Sequence, residues 1–318
     1  CKDMIIVGIT ASYGKTSIKN FLYQFLKDEF ITYKTPKSVN TLGGIVKDIN
    51  QHLPADTQIY IVEMGARQSG DIEAITRLLQ PQYAIVGRIG PAHLEYFKTM
   101  ENIRNTKLEL IHSKRLKKAF VDASANINPA GNIIRFDPDL QTRATLEGTT
   151  FAFENEHYNA PVLGAFNASN IALALAMAKE LGAKDLVRKC AGLEPVEHRL
   201  QKIEAGGKLI IDDSYNGNAE GMIESFDLIK QYPGRKVLVT AGLVETGRQL
   251  NEKVAHAADG LFDLIVVTSR LNYRTICDSI ETSTLDRLEN KEKMQEYLAT
   301  HTKQGDLILF ANDAPNFV

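Results

Sequence analysis

The sequence predicts an α/β protein built as two successive units: a P-loop domain with a doubly wound, mostly parallel sheet, followed by a smaller Rossmann-like α/β domain. Three observations carry this. The apolar run Met4-Ile5-Ile6-Val7 leads straight into Gly8-Ile9-Thr10-Ala11-Ser12-Tyr13-Gly14-Lys15-Thr16-Ser17, a buried-strand signal that turns into a helix. Short apolar runs then alternate with helical stretches along the chain, as expected for a parallel sheet covered on both faces. Finally, 318 residues exceed what one hydrophobic core usually serves. Glu194-Pro195-Val196-Glu197 offers the linker, so the expected domains are residues 1–196 and 197–318.

In the first unit, Ile59-Tyr60-Ile61-Val62, Tyr83-Ala84-Ile85-Val86 and Lys118-Ala119-Phe120-Val121 read as buried strands, with helices over 72–79 and 103–112 between them. The less regular stretch 137–161 alternates apolar residues at Phe151 and Phe153, which predicts antiparallel strands at one sheet edge. An Ala- and Leu-rich helix over 170–181 follows. Beyond the linker, strands are expected over 208–212, 236–240, 263–267 and 306–310, with helices over 219–231, 251–258 and 291–301. There is no internal repeat, low-complexity tract or long charge run.

Composition narrows the function classes. Hydrophobic residues make up 44% and charged residues 24%, as in a globular domain. A net charge of -2 speaks against a nucleic-acid protein, which normally carries a basic excess. The expected partners are small molecules. Cys1, Cys190 and Cys277 show neither paired nor metal-ligand spacing, which fits a reducing compartment. No apolar run of about 18 residues and no signal-peptide pattern occurs, so a cytoplasmic chain without a membrane span is expected.

The Gly14-Lys15-Thr16 triplet between strand and helix is a phosphate-binding signal. Gly14 lets successive N–H groups turn towards anionic oxygens, Lys15 reaches the outer phosphates, and the Thr16 hydroxyl suits a magnesium ion. The usual glycine five positions before Gly14 is absent, since Ile9 stands there. Glu63 and His93 follow strands, at carboxyl ends where open α/β sheets place ligands. Taken singly, Glu63 reads rather as a solvated strand-end acid, His93 as a structural histidine and Lys107 as an exposed helix lysine.

Together, several segments occur in an order that resembles the Mur ligases, the ATP-dependent amino-acid and peptide ligases of bacterial cell-wall synthesis. They are Ser12-Tyr13-Gly14-Lys15-Thr16-Ser17, Ser38-Val39-Asn40-Thr41-Leu42-Gly43-Gly44, Glu63-Met64-Gly65-Ala66, Ala92-His93-Leu94-Glu95 and Thr106-Lys107-Leu108-Glu109. Phe166-Asn167-Ala168-Ser169-Asn170, Glu197-His198-Arg199-Leu200 and Asp212-Asp213-Ser214-Tyr215-Asn216-Gly217-Asn218 continue the series. The last motif and Glu-Met-Gly-Ala are most similar to the D-alanyl-D-alanine-adding branch.

The resemblance implies a central ATPase domain and a C-terminal, amine-binding domain, with ATP and Mg2+ as cofactors. A substrate carboxylate would attack the γ-phosphate, and an amine would then displace phosphate from the acyl phosphate. Lys15 would neutralise phosphates; Thr16 would hold one magnesium ion, and Glu63 with His93 a second. A lysine matching Lys107 is carbamylated in several relatives, which turns a cation into a metal-ordering anion and requires a neutral amine. Ser12, Tyr13, Gly14 and Ser17 would complete the phosphate loop, Asn167 and Asn170 would meet adenine, Arg199 the phosphates and Asp213 the ribose. Asn40, Tyr215, Asn216 and Asn218 would meet substrate, namely a nucleotide-linked peptide and D-alanyl-D-alanine. Domain closure would complete the site and exclude water.

Three segments depart from the family pattern: Ala11 replaces a usual glycine, 240–247 replaces Gly-Asp-Met-x-Glu-Leu-Gly, and 309–313 lacks the common Lys-Gly-Ser-Arg run. The last two lie where the resemblance places the incoming amine. The family's N-terminal, uridine-nucleotide-holding domain has no counterpart here, so an upstream domain is expected. A folylpolyglutamate synthase-like ligase and a nucleotide-binding regulatory or scaffold module without catalysis remain the alternatives.

Overall fold

The computed structural model describes residues 4–37, 39–92, 94–215, 218–243 and 247–312. The chain forms two compact units. One comprises residues up to 141, 151–159 and 167–193; the other comprises 142–150, 160–166 and the chain from 194 onward. A break drawn at one point in the sequence does not represent this exchange of two short segments.

The first unit holds β1 (Ile5–Thr10), α1 (Lys15–Leu26), β2 (Thr32–Lys34), α2 (Leu42–His52), β3 (Ile59–Glu63), α3 (Asp71–Leu79) and β4 (Tyr83–Val86). It continues with α4 (Leu94–Phe97), α5 (Met100–Leu108), β5 (Lys118–Asp122) and β6 (Ile133–Phe136). Its sheet runs β2-β3-β1-β4-β5-β6, and every pair is parallel. Burial on both faces explains the unbroken apolar strands. One face meets Ile45 of α2, Ile72 and Ile75 of α3 and Ile103 of α5. A Cβ placed on Gly87 would meet Ile18 of α1 and Leu173, which sets α1 on the opposite face. Because α1 leaves β1 on one face while α3 leaves β3 on the other, the crevice outside β1 and β3 is a switch point of the sheet, the usual ligand position.

Next come β7 (Arg143–Thr145), β8 (Gly148–Phe153), β9 (Glu156–Ala160), α6 (Phe166–Glu180) and α7 (Leu186–Ala191). Strands β7 and β8 pair antiparallel as expected, but β7-β8-β9 is a separate three-stranded sheet rather than an edge of the first one. The edge position is occupied by β6, whose half-exposed Ile133-Ile134-Arg135-Phe136 lacks a buried-strand pattern. Helix α6 begins at Phe166, before the expected residue 170, and buries residues nearly all round. The expected helix 103–112 is shorter: α5 ends at Leu108 and a 3-10 turn covers Glu109–His112.

The second unit contains β10 (Gln201–Ala205), β11 (Lys208–Asp213), α8 (Ala219–Ile229), β12 (Lys236–Thr240), α9 (Arg248–Ala258) and β13 (Leu264–Val267). Helix α10 (Arg270–Cys277), β14 (Thr284–Arg287), α11 (Met294–His301) and β15 (Leu307–Ala311) complete it. The order is β10-β11-β15-β12-β13-β14, parallel except for β10. Period-two alternation is visible in the core. Ile211, Leu238, Ile265 and Leu309 face α8 and α9, while Ile210, Val237, Val266 and Phe310 share a cluster with Met294 and Leu298 of α11. Among the described residues, no helix is long and apolar enough to cross a membrane.

Candidate active site

At the end of β1 the chain turns through 11–14 and enters α1. Gly14 has φ +81°, and a Cβ there would lie 2.3 Å from Asn170 Oδ1, so both backbone conformation and crowding demand glycine. Ala11 keeps an ordinary negative φ, and the family glycine it replaces is therefore not the one whose freedom this loop uses. The Ser12 N–H donates to the Arg88 carbonyl at 2.9 Å and Ser12 Oγ to the Gly90 carbonyl at 3.0 Å, which ties the loop to the segment after β4. No side chain caps the N-terminus of α1 and no acid lies in its first turn. Its leading N–H groups and positive dipole end thus favour an anion. Lys15 Nζ folds over the loop and donates to the carbonyls of Ala11 (2.9 Å) and Ser12 (3.3 Å).

Glu63 ends β3, the neighbour of β1, with its side chain only 2% exposed. Thr16 Oγ1 donates to its Oε2 at 3.0 Å, Asn40 Nδ2 to its Oε1 at 3.1 Å, and Lys19 Nζ lies 2.9 Å from Oε2. Burial alone would raise its pKa, but the Lys19 and Lys15 ammoniums and the Lys19 and Asn40 hydrogen bonds hold it below the ordinary carboxylate value. Asn40 is itself fixed: its carbonyl accepts from Gly65 N–H at 2.7 Å, and any Cβ on Gly65 would collide with its side chain.

Lys107, on α5, is 3% exposed, which removes its reading as a solvated helix lysine. Its ammonium lies 5.8 Å from the centre of the Phe97 ring. Burial lowers it to about 7, and repulsion from Lys15 adds to the shift against the opposing pull of Glu109 and Asp71. Near neutral pH, Lys107 therefore exists substantially as the free amine. Glu109 of the same motif has a structural task, accepting from the N–H groups of Gly70 and Glu73 at the start of α3. Asn167 and Asn170 lie on the first turns of α6, with Asn170 Nδ2 donating to Asn167 Oδ1 at 3.0 Å beside Gly14.

In the second unit, Arg199 Nη1 donates to the Tyr215 carbonyl and its guanidinium lies 5.8 Å from the Tyr215 ring centre. Tyr215 is 56% exposed. Asp213, buried at the end of β11, accepts from Leu200 N–H at 3.2 Å. His198 Nδ1 lies 2.7 Å from Asp212 Oδ2. Asn218 caps α8 by accepting from Gly221 N–H at 2.7 Å. His93 and Asn216 lie outside the described residues.

Residues 9–178 match the pattern described as the Mur ligase middle domain, more than half of the chain, and residues 198–312 match the Mur ligase, glutamate ligase domain. The chain belongs to the Mur ligase family. Among its Mur ligase relatives, it is 26% identical to the UDP-N-acetylmuramoyl-tripeptide--D-alanyl-D-alanine ligase of Bacillus subtilis (strain 168), over 96% of this chain and 72% of that protein. The enzyme of the same name from Escherichia coli (strain K12) is 27% identical over 77% of this chain, which spans 59% of its length. The crystal structure of MurF ligase from Thermotoga maritima in complex with ADP superimposes with a TM-score of 0.83 at 27% identity, covering 98% of this chain and 77% of that one.

Against this Mur ligase background, the oxygen donors present suit a hard divalent cation: a threonine hydroxyl in contact with an ionised carboxylate beside an uncapped helix start. Among the described residues no group of three His, Cys, Asp or Glu is placed to hold a metal by itself. Lys19 and Thr35 were missed by motif reading, and Glu109 was quoted in a motif without a role. Thr35 Oγ1 accepts from Glu63 N–H at 3.1 Å. Lys19 lies one turn beyond Lys15, beside the apolar positions Ile18 and Leu22, a placement that does not by itself mark a buried charge.

Proposed function

We propose that this chain is the ATP-hydrolysing and amine-accepting part of a ligase that joins D-alanyl-D-alanine to a UDP-linked muramoyl tripeptide. The observation that carries it is the pairing of Thr16 with buried, ionised Glu63 at the phosphate loop, next to a lysine whose amine is held close to neutrality. In this reading Lys15 and Arg199 neutralise the phosphates, and Ser12, Tyr13, Gly14 and Ser17 shape the anion cradle. Asn167 and Asn170 receive adenine, and Asp213 the ribose. Thr16, Glu63, His93 and Lys107 as its carbamate hold magnesium, which supplies charge neutralisation during phosphoryl transfer. Asn40, Tyr215, Asn216 and Asn218 orient the substrates. Lys107 can take up carbon dioxide because its unprotonated amine is the nucleophile that carbamylation needs.

The substrate carboxylate oxygen attacks the γ-phosphorus and ADP departs; the amine then attacks the acyl carbon and phosphate departs, with its proton leaving to solvent. Phosphate release measured with ATP, the nucleotide-linked tripeptide and D-alanyl-D-alanine tests the reading. Release should require both acyl and amine substrates. Nucleotide binding without release under any combination would instead mark a silent binding module.

A further inference from the structure

Lys19 is a buried lysine to which the chemistry above gives no part. Its side chain is 1% exposed, with Nζ 2.9 Å from Glu63 Oε2 and donating at 2.5 Å to the Lys37 carbonyl. An ammonium in this position loses its hydration, a cost of several kcal/mol that only close pairing offsets. A methionine of similar length would fill the same space without that cost, so the charge itself needs an explanation.

The charges around the phosphate loop supply one. Glu63 is the carboxylate in contact with Thr16, and it stands in the fields of both Lys19 and Lys15. Among the described residues no group of three His, Cys, Asp or Glu stands here to hold a metal by itself. A divalent cation approaching Thr16 and Glu63 alone therefore meets a carboxylate whose charge is already balanced. Nucleotide phosphates bring the missing negative charge with them.

We infer that Lys19 is a resident counter-ion of Glu63 that prevents this carboxylate from capturing free divalent cations, so that metal enters only together with nucleotide phosphates. The inference rests on the proposed role of Glu63 as a metal ligand. The bond to Lys37 secures the ammonium from its other side. Nearby in sequence, Thr35 accepts from Glu63 N–H and Asn40 donates to Oε1, so Thr35, Lys37 and Asn40 together hold both members of the pair. Lys19 is thus a positioning residue acting through Glu63.

Binding of Mn2+ followed by electron paramagnetic resonance, with and without ADP, tests this on the full chain. Wild type, Glu63→Gln and Lys19→Arg should bind free Mn2+ equally poorly. Lys19→Gln should bind it about tenfold or more tightly, the direction expected on removing a like charge from beside the cation, and Lys19→Gln/Glu63→Gln should lose that gain. No gain in folded Lys19→Gln, or tight free-Mn2+ binding by wild type that Glu63→Gln abolishes, would overturn the inference. Should Lys19→Gln fail to fold, the comparison of wild type with Glu63→Gln decides it: equally poor binding supports the counter-ion and tight wild-type binding refutes it. The underlying reading is checked separately, because unchanged Mn2+·ADP binding in Glu63→Gln would remove Glu63 from the metal site whatever Lys19 does.

Discussion

At the strand ends of the first sheet, Lys15, Lys19, Glu63 and Lys107 bring charged groups together, with burial lowering the pKa of Lys107 and the neighbouring ammoniums holding that of Glu63 down. At the strand ends of the second sheet, the loop after β12 is held by neutral amides. Asn251 accepts from Leu243 N–H at 2.8 Å and donates to the Leu243 carbonyl at 3.0 Å. Asn272 donates to the carbonyls of Ala241 and Leu243, and Asn312 to that of Gly242. The buried carboxylates Asp212 and Asp213 are likewise tied down, by the N–H groups of Ser214 and Leu200 and by His198. The contrast separates two tasks. In the proposed reading, charges kept out of water tune reactivity towards phosphate, whereas an amide framework fixes backbone shape without changing charge.

The largest effect expected from breaking this contrast is on turnover. Lys15→Ala should lower ligation by about 100-fold or more, as removal of one preorganised charge-stabilising group does, while its melting temperature stays near that of wild type. Full activity in coupled phosphate-release assays would contradict it. Next, Asn251→Ala should cost about 1–3 kcal/mol of stability, since it leaves the Leu243 N–H buried without its partner, while the Leu243 carbonyl keeps the Asn272 amide. Denaturant unfolding measures this, and ADP affinity should be unchanged; an equal loss of ADP binding would show that the two sheets do not divide the work this way.

A smaller effect separates the charge on Lys107 from its bulk. Its folded pKa, about 7, lies below the ordinary lysine value of 10.5, so between these values the unfolded chain binds the extra proton and stability rises with pH. Lys107→Met should therefore be more stable than wild type by a few kcal/mol below pH 7, with the advantage shrinking as pH climbs towards 10.5. Unfolding curves at pH 6 and pH 9 check the sign. At the small end, Lys179→Ala breaks the exposed pair with Glu154 and should change stability by less than about 0.5 kcal/mol, a baseline against which the buried charges are read.

Much of the parallel core was legible because both faces of each central strand are buried: Ile59-Tyr60-Ile61-Val62 and Tyr83-Ala84-Ile85-Val86 could hardly be anything else. Edge strands were not. Thr32-Tyr33-Lys34 and Thr284-Leu285-Asp286-Arg287 are short, partly exposed and mixed in polarity, so nothing in their periodicity distinguishes them from loop. Helices α2 and α10 were also missed, since Gly43 and Gly44 weaken one and the other buries few apolar residues. In the site, Gly14-Lys15-Thr16 was legible from its setting between strand and helix. Lys19 was not, because a lysine four residues after another reads as solvated until tertiary structure brings Glu63 against it.

The measurement that tests the central contrast most directly is the site-specific titration of Lys107 by NMR of 15N-labelled lysine side chains, assigned with Lys107→Met and recorded without carbon dioxide. The account predicts a midpoint near 7, far below the ordinary lysine value of 10.5. A midpoint near 10.5 would contradict the claim that the first sheet's site is built from charges tuned by burial.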